Sequence, residues 1–296
     1  MFINKTRISL VAAKAYFCTS RKADVKLFCT FIYKEGKKQE SSMAGKFVKL
    51  QHAAHSSTCA GKIKKLSVEG NIAVGKSSLL KLLGNVFQEW SFVGEPLKKW
   101  QHAYSSSSHG MDNLLQLLYD NPTRWSYTFQ TLSCMTRFKT QIDPLSEELL
   151  KQKQPVRVFE RSVYSDRFVF AKTLFELGHL NEMEWSMYQE WHTFLLQEFG
   201  ERAALDGILY LHATPKKCFQ RLQKRARKEE ERVTQQYLEK LHDQHEDWLR
   251  KKNIDVHFTQ ICNIPLLILD VEEDFEDNPL VSQHLINKVK EFVVSL

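Results

Sequence analysis

From residue 62 onward, short apolar runs alternate with longer stretches in which apolar side chains recur every three or four positions. Five runs have strand length and composition: Lys65-Leu-Ser-Val-Glu69, Ser91-Phe-Val-Gly94, Val156-Arg-Val-Phe159, Gly207-Ile-Leu-Tyr-Leu211 and Ile264-Pro-Leu-Leu-Ile-Leu-Asp270. Helix-like segments separate them. A strand returns parallel to its predecessor only through a long crossover, and these segments supply one, so the alternation predicts βαβ units. The expected fold is α/β, a five-stranded doubly wound parallel sheet flanked by helices. The stretch 105–110, four serines followed by His109 and Gly110, has turn composition and no period, which predicts a loop. The segment 183–199 places Met183, Met187, Trp191, Phe194 and Leu195 at helical spacing, widened by Tyr188 and Phe199. That stripe fits either a core-facing helix or a subunit interface.

The first strand runs directly into Gly70-Asn71-Ile72-Ala73-Val74-Gly75-Lys76-Ser77, which satisfies G-x-x-x-x-G-K-[ST], and a helical run over Ser78–Phe87 follows. Glycines let the backbone turn sharply so that successive N–H groups point at phosphate oxygens, and the helix adds its N-terminal dipole. Lys76 is placed to reach the β- and γ-phosphates, and the Ser77 hydroxyl to ligate Mg²⁺. Ser78, the next residue, is expected to bind the nucleotide together with the loop. No N-K-x-D base-reading element follows, which argues against a GTPase.

Three further clusters point to phosphoryl transfer onto a small acceptor. Glu95-Pro96 ends the second predicted strand, and carboxyl ends of parallel strands line the ligand crevice. A carboxylate there can take the proton of an attacking hydroxyl; the plain alternative is an exposed glutamate before a turn proline. Glu160-Arg161-Ser162 ends the third strand, followed by Tyr164-Ser-Asp166-Arg167. Glu160 can hold Mg²⁺ and Arg161 can neutralise charge on the transferred group, unless the two form only a salt-bridged strand end. Arg221, Arg225 and Arg227 cluster ahead of Glu230, the composition of an arginine-rich lid closing over ATP. By itself such a run reads as a solvated helix face.

Charge divides the chain. Residues 1–61 hold 11 Lys/Arg and 3 acids, a net of +8, so with +7 overall the remaining residues total −1. The basic pI belongs to the tail, and a nucleic-acid-binding face on the folded portion loses its main support. The expected division is therefore a basic tail over 1–61, either disordered or a transit peptide, and a catalytic domain over 62–296. The tail is poor in acids and carries a hydroxyl- and apolar-rich stretch from Arg7 to Phe17, features of an organelle transit peptide, here mitochondrial. Met43 is an in-frame alternative start that would remove most of it and leave a cytosolic or nuclear product. The six cysteines form no C-x-x-C pair, which suits a reducing compartment. No apolar run approaches the ~20 residues needed to span a bilayer, so no membrane partner is expected.

With these strings in hand, the chain resembles the deoxyribonucleoside kinase family of deoxycytidine and deoxyguanosine kinases. The likeness covers about residues 62–296. It rests on Val68–Ser77, Glu95-Pro96, Trp125-Ser-Tyr-Thr-Phe-Gln130, Glu160–Arg167 and Arg221–Glu230. The resemblance implies a P-loop kinase that transfers a phosphoryl group from ATP or UTP, with Mg²⁺, to the 5′-hydroxyl of a deoxynucleoside. It implies Glu95 as the base, Arg161 for charge stabilisation, Lys76 with Arg225 and Arg227 on the phosphates, and Mg²⁺ near Ser77 and Glu160. It further implies Gln130 on the nucleobase edge, Phe129 and Phe170 against the ring, Trp100 beside the sugar, and Tyr119 with Glu230 on the 3′-hydroxyl. Arg137 and Asp166 would read the remaining polar edge, an arrangement thymidine-preferring relatives lack. Ser133, Phe170–Phe175 and Arg225–Glu230 lean toward deoxyguanosine and deoxyadenosine; Ile63–Ser67 leans toward deoxycytidine. The family's members are homodimers built through helices.

His242-Asp-Gln-His245-Glu246 has metal-like spacing but no third ligand in sequence, and it continues an amphipathic helix with Leu238, Leu241 and Trp248. It is expected to be structural. Two rivals to the kinase reading are a nucleoside monophosphate kinase, with Arg137 on the substrate phosphate, and a silent nucleotide-binding scaffold. The joint presence of Lys76, Glu95 and Arg161 argues against the scaffold.

Overall fold

The computed structural model describes residues 63–102, 113–253 and 259–296. The basic tail with Met43 and the loop at 105–110 lie outside the described residues. Five strands, β1 (Lys64–Glu69), β2 (Ser91–Val93), β3 (Val156–Glu160), β4 (Gly207–His212) and β5 (Leu266–Asp270), form one sheet in the order β2-β3-β1-β4-β5. Every neighbouring pair is parallel. All five predicted strands are present, with edges shifted by a residue or two. β5 starts after Pro265, which has no N–H to donate and enters the ladder only as the acceptor of Ile208 N at 2.8 Å.

The chain order changes direction at β1, whose neighbours β3 and β4 carry it to opposite edges of the sheet. In open parallel sheets that switch point opens a crevice at the carboxyl ends of the strands. The central strands are buried on both faces: Leu66, Val68, Val158 and Leu209 are fully enclosed. Each such side chain contributes roughly 1.5–3 kcal/mol through burial, which makes the crevice a rigid platform.

Helices flank the sheet. α1 (Lys76–Val86) opens at the P-loop lysine itself, earlier than the predicted run, because Gly75 takes a left-handed conformation (φ 111°) as its N-cap. α2 (Leu97–Gln101) and α3 (Leu114–Asp120) precede the long α4 (Pro122–Ile142), which Asn121 caps by accepting from Arg124 N. After β3, α5 (Val163–Ser165) passes through a π-helical stretch (Asp166–Ala171) into α6 (Lys172–Glu176). α7 (Glu182–Ala203) starts on a capping box between Asn181 and Glu184. α8 (Pro215–Arg225) leads to the predicted lid, α9 (Gln235–His245) follows it, and α10 (Pro279–Ser295) closes the chain. Among the described residues no helix is long and apolar enough to cross a membrane.

α7 divides its predicted stripe, with Trp191 and Leu195 packed against the core. It buries Tyr188, His192 and Leu196, whereas Met183, Met187 and Phe194 stand 73%, 54% and 56% exposed. The helix therefore carries two apolar faces, and only one meets the core.

Candidate active site

The P-loop backbone adopts left-handed conformations at Gly70 (φ 138°), Ala73 (φ 59°) and Gly75. A Cβ on Gly70 would stand 2.6 Å from the carbonyl oxygen of Leu211 on β4, so glycine is required for both conformation and space. Asn71 anchors the loop, donating from Nδ2 to Leu238 O on α9 (2.8 Å) and accepting from Ile72 N (2.8 Å). Lys76 is buried, with Nζ donating to Asn71 O at 2.7 Å. Burial, reinforced by the Arg161 guanidinium, pulls its pKa down to about 7. Ser77 Oγ donates to Glu160 Oε1 at 2.7 Å, two hard oxygen donors from different elements.

Two strand ends and helix α4 supply the acidic and basic groups. Arg161 sits just past β3 with φ 65°, an uncommon left-handed conformation for a residue with a side chain. That turn directs its guanidinium back to the P-loop, where Nη1 donates to Gly70 O (2.7 Å) and Nε meets Glu95 Oε1 (3.1 Å). Arg137, on α4, donates from Nη2 to the same Glu95 oxygen (3.1 Å), from Nε to Asp166 (2.8 Å) and from Nη1 to Glu160 O (2.9 Å). Burial would raise the Glu95 carboxyl, but Arg137 and Arg161 outweigh it and hold its pKa below the ordinary range. Glu95 is thus an anion at neutral pH, oriented by two guanidinium groups.

α4 presents Phe129, Gln130, Ser133 and Arg137 on one buried face at intervals of one helical turn. Gln130 is 2% exposed, and its Oε1 has no hydrogen-bond partner among the described residues. A buried carbonyl without a partner is costly, and this one borders the cleft. Trp100 packs edge-on against Phe129 (5.4 Å) and donates to Thr136 (3.0 Å). Phe170 projects from the π-helical stretch beneath the Arg161 guanidinium (4.5 Å). Trp100, Phe129, Gln130, Ser133, Arg137 and Phe170, with Tyr119, Glu230 and the P-loop, line one cleft of about 500 Å³.

The lid residues divide. Arg225 and Arg227 both line the cleft and pair with the two carboxylate oxygens of Glu230, the latter at 3.0 Å. Arg221 instead ties the P-loop to the segment after β5, donating to Val74 O (3.2 Å), Val271 O (2.8 Å) and Asp274 (2.6 Å). Arg221 still borders the cleft, though its guanidinium is occupied as an anchor.

Some participants have no counterpart in the sequence reading. Glu69 at the end of β1 accepts from Ser162 Oγ (2.6 Å) and so steadies the Arg161 turn. Glu229 accepts from Gln101 (2.7 Å) and Asn113 (3.0 Å), joining the lid to α2 and to the cap of α3. Asp274, Phe275, Glu276 and Asp277 form a further wall, with Phe275 lying 3.1 Å from the Cβ position of Gly75. The acidic run beyond β5 sits at a strand's carboxyl end, the criterion that singled out Glu95, and could have been found on that ground. Tyr237 from α9 carried no signal.

A phosphate-binding loop at the switch point of a five-stranded parallel sheet, faced by an arginine-held carboxylate, defines a P-loop kinase. The deoxynucleoside kinase family model matches residues 66–294, and the chain belongs to that family; it is a phosphotransferase acting on an alcohol group. It is similar to the mitochondrial deoxyguanosine kinase of Xenopus laevis, 66% identical over 242 residues, covering 79% of this chain and 91% of that protein. Deoxycytidine kinase 2 of Gallus gallus is 49% identical over 243 residues (79% and 92%). The deoxycytidine kinase of Homo sapiens is 43% identical over 244 residues (79% and 93%).

Proposed function

We propose that this enzyme phosphorylates the 5′-hydroxyl of purine deoxynucleosides, deoxyguanosine and deoxyadenosine, using ATP or UTP. The observation that carries the acceptor reading is the buried Gln130 amide, its Oε1 unpartnered, on the same cleft as the Arg137–Asp166 pair. Such a set offers both donors and acceptors to one flat polar ring. The purine choice draws on the identity to a relative named deoxyguanosine kinase.

In this reading Glu95 receives the proton of the 5′-hydroxyl, while Arg161 and Lys76 stabilise charge on the transferring group. Tyr119 and Glu230 hold the 3′-hydroxyl. Engagement of Glu230 by the sugar would release Arg225 and Arg227 from their carboxylate pairings toward the phosphates. Mg²⁺, for which the oxygens of Ser77 and Glu160 are suitable donors, would neutralise phosphate charge. A nucleoside monophosphate kinase is disfavoured because the charge of Arg137, its candidate phosphate ligand, is already balanced by Glu95 and Asp166.

A panel of deoxyguanosine, deoxyadenosine, deoxycytidine and thymidine, with deoxyguanosine monophosphate alongside, tests the proposal. The purine deoxynucleosides should show the highest kcat/KM; a preference for deoxycytidine would overturn the base assignment, and turnover of the monophosphate alone would overturn the acceptor. A mitochondrial destination is supported by the basic, acid-poor tail and by the name of that relative. A tagged chain started at Met1 should reach the organelle, and one started at Met43 should remain in the cytosol or nucleus.

A further inference from the structure

Outside the cleft, the fold assembles a second polar cluster from residues far apart in sequence. His212 ends β4, and His242 and Glu246 stand one helical turn apart at the end of α9 and just beyond it. One ligand atom from each lies within 4.8 Å of the others. None of the three lines the nucleotide cleft, and all are half-buried. The neighbouring His245 does not participate: it is fully buried, bonded through Nδ1 to Leu241 O (2.6 Å) and stacked on Tyr210. The spacing that looked metal-like, His242 with His245, is thus the wrong pair, and the third ligand comes from strand β4.

We propose that His212, His242 and Glu246 form a transition-metal site, taking Zn²⁺ by preference, that bridges the end of β4 to α9. Two imidazoles and one carboxylate match the donor set of three-ligand zinc sites, with the fourth position left to water. Imidazole nitrogen selects zinc, copper or nickel over Mg²⁺. His212 Nε2 already lies 3.7 Å from Glu246 Oε1, so small side-chain rotations bring both to one ion. A supporting contact is in place, since Tyr210 Oη donates to Glu246 Oε1 at 2.9 Å and fixes the carboxylate. The competing partner is weak. Arg250, half exposed, holds the other Glu246 oxygen (2.8 Å) as an i,i+4 pair, and it can keep that oxygen while Oε1 binds the ion.

The bridge would act on the helix that carries the P-loop's anchor. α9 provides Leu238 O to Asn71 and Tyr237 to the cleft wall. A metal at its C-terminal end would restrain that helix against β4.

The test uses the full chain with Co²⁺ as a visible-absorption probe, followed by displacement with Zn²⁺, in buffer containing Mg²⁺. The unaltered protein should take up one Co²⁺ per chain at this site, displaced by Zn²⁺ and not by Mg²⁺. His212→Gln and, independently, His242→Asn should weaken uptake by about tenfold or more. Both should keep the unaltered circular dichroism spectrum and the Mg²⁺-dependent phosphorylation rate. Failure of the unaltered protein to bind Co²⁺ would sink the proposal, leaving His212 and Glu246 a structural contact. So would undiminished binding by both variants, which would assign the ion to other histidines or to cysteines. Should one variant misfold, the other carries the test.

Discussion

Glu95 illustrates how neighbours decide what a residue can do. A lone glutamate before a proline says little. Here one oxygen is held by both Arg137 and Arg161 at 3.1 Å, which keeps the carboxylate ionised and aimed into the cleft. Glu95→Gln preserves size and can still accept from both guanidinium groups, but it cannot accept a proton. The variant should lose about two to four orders of magnitude in kcat, with a far smaller change in KM, measured by steady-state phosphorylation. An unchanged kcat would remove Glu95 from the role of base. The strings around these residues were readable because they are contiguous. Glu69 and Glu229 were not, since their partners Ser162, Gln101 and Asn113 approach only through the fold.

The P-loop and α1 act as one element, and its lysine reports on its state. Lys76 has a pKa of about 7 in the folded protein against an ordinary 10.5. The unfolded chain therefore binds this proton more tightly than the folded one. The resulting cost to stability is fully present below about pH 7 and fades as pH rises toward the ordinary lysine value. A triphosphate in the loop reverses the shift by supplying negative charge. At about pH 8, ATP binding should take up close to one proton, read by calorimetry in buffers of different ionisation enthalpy. Lys76→Met should abolish that uptake; if uptake persisted, another group would be the one titrating. The loop's position was visible from its motif, and the start of its helix at Lys76 rather than later follows from Gly75 as the N-cap. α7 shows the opposite limit. Its periodicity was correct, yet period alone cannot say which of two apolar faces meets the core.

For the whole molecule, that second face on α7 carries a proposal of assembly. Met183, Met187 and Phe194 leave large apolar side chains in water along one helix, which supports a homodimer built through this helix, as the family resemblance implies. Met187→Glu combined with Phe194→Lys should shift the protein to monomer in sedimentation velocity without loss of secondary structure. A dimer that survives both changes would place the interface elsewhere. Charge is likewise divided along the chain, with a net of +8 in residues 1–61 and −1 beyond them.

The sequence by itself determined the class of fold, the five strands and the phosphate loop, because each is written as a contiguous run or a strand end. Hydrophobic period and motif chemistry are local properties, and they survive translation into structure. Tertiary structure alone decided which groups meet. It put Arg137 on Glu95 and Asp166 at once, drew Arg221 away to anchor the loop beyond β5, and turned Met183, Met187 and Phe194 outward. It also replaced His245 by His212 as the companion of His242. Those outcomes depend on contacts between segments far apart in the chain, such as Arg221 with Val74 (147 apart) and Arg137 with Asp166 (29 apart), and no local pattern encodes them.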